Sequence, residues 1–362
     1  MQRRTISRRT LFGRAAGLAT ASLLPLPAIA ATRQVKFTLP WLAGGEFAFV
    51  YMADANGYMK QRGIEISIAR GFGSVASAQS VAAGQFDCGL AAAPTLTLSV
   101  ANGLDLIALA TTDYDATMGV GVLADSPIKK PQDLAGKKIA STPTSAEFPF
   151  FPAYCKKIGV DIDSIQSVHV DNKVLEHVLE EKQVDAITSF ANDSWSVMKS
   201  RGFSSHWFLY STAGIVNHGQ TIIVTKDTYA KDPAFCEAMV DGLLEGIAFT
   251  LTKPDETVDI FLKELPEMAL NPSAKTLVHL GLMTWEHSVA RPQAEQHGLG
   301  WCDPQAFTEM TDLVMTYLAK PGTKRPDNDA LFTNRFTGKV KLTPQQWTEV
   351  HARVAEYDKV FS

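Results

Sequence analysis

No acidic residue occurs before Glu46, although Arg3, Arg4, Arg8, Arg9 and Arg14 crowd the same stretch. Nor does the chain carry a long hydrophobic run. The apolar stretch from Ala15 to Leu24 is interrupted by Thr20 and Ser22 and stopped by Pro25. A spanning helix needs roughly 20 apolar residues, so this segment is too short to hold the protein in a bilayer. Cysteine is scarce: Cys88, Cys155, Cys236 and Cys302 lie far apart, which excludes a C-x-x-C metal knuckle or redox pair. They are expected to be small buried hydrophobes, with pairing in an oxidising compartment left open. The eight histidines form no H-E-x-x-H, and the chain has neither a Gly-Lys-Ser/Thr phosphate loop nor a Gly-x-Ser-x-Gly elbow. No metal and no cofactor is therefore expected.

What stands at the start of the chain is an export signal. Ala28-Ile29-Ala30 supplies the small residues a signal peptidase accepts, and Ser7-Arg8-Arg9-Thr10-Leu11-Phe12 is similar to a twin-arginine address. An ordinary Sec signal with surplus arginines is the alternative. Residues 1-30 are expected to be a cleaved signal peptide, cut near Ala30, with the mature protein in the periplasm. Without them 29 basic residues face 38 acidic ones, a net charge of -9. That balance argues against a nucleic-acid partner, whose binding proteins concentrate positive charge.

From Val35 onward short apolar runs alternate with helical patterns, as in α/β units around a mainly parallel sheet. Strands are expected at 35-39, 64-68, 86-90 and 104-110, with a helix from Phe47 to Arg62 closed by Gly63 and another capped by Ser74. A second series follows: strands at 118-123 and 137-140, a helix over 145-157, a strand near Val168, a helix over 174-181 and a strand at 184-188. Gln85-Phe86-Asp87 in the first series echoes Gln183-Val184-Asp185 in the second, each between helix and strand. After a strand at 221-225 the pattern turns helical, ending in a helix from Pro344 to Val360. Chain crossings near 111-117 and 214-220 divide it into one lobe of 31-115 plus 221-362, with C-terminal helices, and a second lobe of 116-220.

Several segments carry a family resemblance: Trp41 after the first strand, Ala53-Asp54-Ala55-Asn56-Gly57-Tyr58-Met59 with Gly63-Ile64-Glu65-Ile66, Gly84-Gln85-Phe86-Asp87-Cys88-Gly89, Ser126-Pro127-Ile128 with Asp133-Leu134-Ala135-Gly136-Lys137-Lys138-Ile139, and Val184-Asp185-Ala186. In this order the chain resembles the type II periplasmic binding proteins of the sulfonate, nitrate and thiamine-pyrimidine (NMT1/THI5-like) group. The resemblance implies two α/β lobes with a hinge, a small-molecule solute between them, and an inner-membrane ABC permease with its ATPase as partners of a monomer. It implies no enzyme. The family fold also occurs in a pyrimidine-forming synthase, but this chain lacks that enzyme's cysteine cluster. A periplasmic sensing domain of the same fold is a third reading.

In open α/β sheets ligands sit beyond the carboxyl ends of the strands. The candidates there are Trp41 and Glu46 after the first strand, Phe72 and Ser74 after the second, Thr95 after the third, and Tyr114 in the first crossing. The second lobe adds Thr144 and Glu147, then Phe190, Asn192 and Trp195; His218 lies at the second crossing. Each has a plainer role beside it. Trp41 could plug a lobe core, Glu46 favour a helix dipole, Ser74 and Thr95 cap helices, Glu147 complete a capping box, and His218 bond within the hinge. Among the cleft segments only Arg70 is basic, against Glu46, Asp113, Asp115, Glu147 and Asp193. This favours a neutral or amine-bearing, heteroaromatic solute of pyrimidine or thiamine-precursor type over a sulfonate or nitrate.

Overall fold

The structure, a computed structural model, describes residues 32-360. The expected signal peptide and its twin-arginine motif lie outside the described residues.

Two five-stranded sheets organise the chain. The first contains β1 (Arg33–Thr38), β2 (Ile64–Ala69), β3 (Cys88–Ala92), β4 (Leu106–Thr111) and β10 (Gln220–Thr225), in the order β2-β1-β3-β10-β4. The second contains β5 (Met118–Leu123), β6 (Lys138–Ser141), β7 (Gln166–His169), β8 (Ala186–Phe190) and β9 (Ser205–Leu209), in the order β7-β6-β8-β5-β9. The two sheets repeat one plan. In each, three parallel strands are followed by one antiparallel to both of its neighbours, β10 in the first and β5 in the second. β3 is buried along its whole length, so its residues are small or apolar on both faces.

The echo between the halves has a shared physical cause. Asp87 donates its backbone amide to the Lys36 carbonyl at 2.9 Å, and its carboxylate accepts from the Lys36 amide at 2.8 Å. Asp185 makes the same pair of bonds with Lys138, at 2.8 Å each. An aspartate at this point closes the edge of the ladder where the incoming chain joins the sheet.

The helices between strands are α1 (Ala48–Ala55), α2 (Ser74–Ala82), α3 (Ala93–Ala101), α4 (Phe151–Lys157), α5 (Leu175–Glu180) and α6 (Ala191–Ser200). Three expected helices are shorter than the sequence suggests. The one expected from Phe47 to Arg62 breaks after α1 because Gly57 takes a positive φ of 75°. The one over 145-157 is helical only in α4, after a 3-10 turn at Phe148–Phe150. The last becomes 3-10 at Ala355–Lys359.

Beyond β10 come α7 (Lys226–Lys231), α8 (Pro233–Thr252), α9 (Pro254–Glu264), α10 (Pro266–Ala269), α11 (Ala274–Val289), α12 (Pro292–His297), α13 (Pro304–Tyr317) and α14 (Pro344–Val354). Prolines start most of them, where their missing N–H costs nothing. α8 packs against α1, whereas α11 packs against both the turn before α1 and α6 of the other lobe. Thr284 on α11 donates to the Asn192 carbonyl at 3.3 Å, fixing this second contact. The four cysteines are buried and free.

Candidate functional site

The chain crosses between lobes at 112-117, from β4 to β5, and at 210-219, from β9 to β10. Above the crossings the lobes meet around a small cavity of about 40 Å³ lined by residues of both. That volume holds a few waters, so a ring-sized solute enters only as the walls part; the lobes themselves touch at the rim. The loop after β2 makes the rim contact. Val75 donates its amide to the Thr144 carbonyl at 3.1 Å, the Thr144 hydroxyl donates to the Phe72 carbonyl, and Asn172 donates to the Gly71 carbonyl at 3.4 Å. Gly73, at φ 112°, makes this approach possible: a Cβ there would stand 2.1 Å from the Thr144 carbonyl oxygen.

Five of the candidates share the cavity wall: Trp41, Glu46, Ser74, Phe190 and Asn192. Ser74 does not cap its helix; its hydroxyl accepts from the Ala92 amide at 3.1 Å, which ties α2 to the end of β3. Asn192 is held by the Thr117 hydroxyl at 2.7 Å. Glu46 is at once a first-turn carboxylate and a wall of the cavity.

The other candidates stand elsewhere. Phe72 is 51% exposed on the rim, beneath the Arg70 guanidinium at 4.0 Å. Thr95 faces a separate surface cavity with Pro94 and Phe150 and caps no helix, since Ala92 holds the N-cap of α3. Tyr114 and His218 pack edge to face at 6.0 Å and line a cavity with residues of α13. Their neighbour Asp113 faces the interlobe cavity instead. Thr144 spends its hydroxyl on the rim bond. Glu147 forms no capping box; fully buried, it accepts from Ser145 and from Thr188. Trp195 packs against the cores and meets Tyr357 edge to face at 6.1 Å.

Three further residues shape the cavity. Asp113 and Asp193, acids of the cleft segments that are not among the candidate contacts, both line it. Trp285 reaches it from α11, stacked on Phe49 at 5.3 Å. No local pattern announces Trp285, because only long-range packing brings α11 to the cleft.

The cavity wall therefore carries Glu46, Asp113 and Asp193 and no cation, with aromatic faces from Trp41, Phe47, Phe190 and Trp285. Burial pushes the Glu46 carboxyl up to about 7 and, against the lowering hydrogen bond from Gln220, pushes Asp113 up to about 7. Asp193 is driven well above the usual carboxylate range, first by burial and then by the charges of Glu46, Glu176 and Glu147. A carboxylate deprived of water and of a counterion favours its neutral form. Such a site can receive a cation, or lend neutral carboxyls as donors. Among the described residues, no group of three or more His, Cys, Asp or Glu is arranged to hold a metal ion. Among the described residues no helix is long and apolar enough to cross a membrane.

Two α/β lobes joined by a double-crossing hinge, with a helical C-terminal extension, define a type II periplasmic binding fold. Residues 45–257, more than half of the sequence, match the family model described as NMT1/THI5 like, and the chain belongs to that family. It is 19% identical over 238 residues to the formylaminopyrimidine-binding protein of Halalkalibacterium halodurans, covering 66% of this chain and 72% of that one. It is 25% identical over 314 residues to the riboflavin-binding protein RibY of Chloroflexus aurantiacus, covering 84% and 86%. Its fold is similar to that of the periplasmic aliphatic sulphonate binding protein SsuA from Escherichia coli, with a TM-score of 0.63 at 15% identity, over 84% of this chain and 99% of that one.

Proposed function

We propose that this chain is the periplasmic solute-binding component of an ABC importer, and that it takes a small neutral or amine-bearing heteroaromatic solute of pyrimidine type. The observation that carries the reading is the aromatic cavity walled by Glu46, Asp113 and Asp193 without a cation. An amine or a protonated ring nitrogen would supply the missing counterion, and the flat faces of Trp41 and Phe190 suit an aromatic ring. Two relatives named for heteroaromatic solutes support the same class. The solute bridges the lobes, favours the closed state by differential affinity, and the closed monomer docks on the permease. Nothing in this role calls for catalysis.

A second reading has one observation in its favour. α2 and α6 begin at the cavity, and helix N-termini attract anions; a sulfonate or nitrate would then be the solute, as the likeness in fold to a sulphonate binder allows. A thermal-shift panel separates the two. Aminopyrimidines, flavins and simple amines should raise the melting temperature, with about 2.7 kcal/mol of stabilisation at 100 times the dissociation constant. A shift with sulfonates or nitrate alone establishes the second reading.

A further inference from the structure

The space between the lobes continues past Trp41. Together with Glu46 and Asp193, Trp41 also lines an outer chamber of about 630 Å³. Its walls differ in kind from those of the inner cavity, because three cations join them. Arg70 belongs to the loop after β2, and Lys173 to the loop before α5. The Arg70 guanidinium reaches Asn172, the residue next to Lys173, at 3.5 Å. Closure therefore gathers a cation from each lobe at one rim. Among the described residues neither is ion-paired: Arg70 lies over the Phe72 ring and Lys173 is exposed. Arg201, the third cation of the chamber, is occupied by Glu180 at 3.1 Å.

The acids of the chamber are placed differently. Glu46 and Asp193 are shared with the inner cavity, Glu176 accepts from Ser194 at 2.6 Å, and Glu267 stands near Tyr51, whose hydroxyl is pushed up first by burial and then by that charge. Two cations lining one chamber from opposite lobes can each give a charge-assisted bond to an oxyanion held there. We propose that the solute is bipolar: a heteroaromatic amine enters the inner cavity, and an oxyanionic arm on the same molecule lies in the outer chamber between Arg70 and Lys173. The inner half of this proposal rests on the solute class argued above; the outer half rests on the two cations alone.

Calorimetric titration of the mature protein with 4-amino-5-(hydroxymethyl)pyrimidine, its phosphate ester and butyl phosphate tests the halves separately. The ester should bind at least about tenfold more tightly than the alcohol at low salt, an advantage that added salt erodes. Arg70→Gln and Lys173→Gln should each remove most of that advantage; Lys173→Gln, at an exposed position that makes no rim bond, should leave the affinity for the alcohol unchanged. Equal affinity for alcohol and ester overturns the proposal, as does an advantage that survives both substitutions. If neither pyrimidine binds, the solute class has failed, and butyl phosphate decides the rim: binding lost in both variants upholds the oxyanion subsite, and no binding overturns it.

Discussion

The Asp113 carboxylate accepts a hydrogen bond from the Gln220 backbone amide, tying the first crossing to the start of β10, where the second crossing ends at the floor of the cleft. The Thr112 amide adds a bond to the Gln220 carbonyl at 2.8 Å. The two crossings thus form one coupled hinge beneath the cavity. Asp113→Ala orphans a buried amide and should cost about 1–3 kcal/mol in urea unfolding. Asp113→Asn keeps an acceptor in place and should cost clearly less; equal losses in the two variants would show that the bond to Gln220 contributes nothing.

The cluster of buried carboxyls makes stability depend on pH. Glu46 and Glu147 rise from 4.5, and Asp113 from 3.8, to about 7, burial being the first cause in each. The folded state holds these protons more tightly than the unfolded chain, so their contribution is complete below about pH 4 and is lost as pH rises through about 7. Burial lowers His218 and His287 from the usual imidazole value, and they act in the opposite sense below it. Between about pH 6.5 and 8 the solute-free protein should therefore melt at progressively lower temperature. A saturating cationic solute should flatten that slope by replacing the protons. A melting temperature that climbs across this interval contradicts the assignment.

Gly73 links local backbone geometry to closure. Gly73→Ala brings a Cβ into the Thr144 carbonyl only when the lobes meet, and its positive φ adds strain. The variant should fold, scatter X-rays as a more open particle, and bind solute at least about tenfold more weakly. Unchanged affinity would mean that the rim contact is not needed for binding.

Two tryptophans that look alike in the sequence should separate on substitution. Trp41→Ala removes a wall common to both chambers and contacts with the same two cores that Trp195 packs against, so it should weaken binding and cost stability together. Trp195→Ala leaves a hole between the cores and beside Tyr357, so it should cost about 3 kcal/mol of stability. Affinity measured on its folded fraction should change little.

The sequence made most strands legible because they are short apolar runs, and β3 and β8 each follow a recognisable aspartate; β9 (Ser205–Leu209), which opens on Ser205 and His206, is a strand the sequence pattern does not announce. Asp87 and Asp185 could be paired by eye for that reason, and their bonds to Lys36 and Lys138 explain the echo. Part of the cavity was legible too, since Trp41, Ser74, Phe190 and Asn192 all follow the carboxyl ends of strands. What was hidden depended on distance or direction. Trp285 arrives on a helix that no strand pattern announces, and Tyr114 faces the side of the crossing opposite Asp113, which consecutive letters do not distinguish. Ser74, Thr95 and Glu147 read as helix caps by residue type, yet none of the three side chains caps a helix.

The most direct test of the central claim is calorimetric titration of the mature protein and its Asp193→Asn variant with an aminopyrimidine and with an alkanesulfonate, near pH 7.5. The aminopyrimidine should bind the wild-type chain and lose at least about tenfold in affinity when residue 193 can no longer ionise beside it, while the sulfonate, which meets only the rim cations, should bind far more weakly and no better in the variant. Tight binding of the sulfonate, strengthened in Asp193→Asn, would contradict the account.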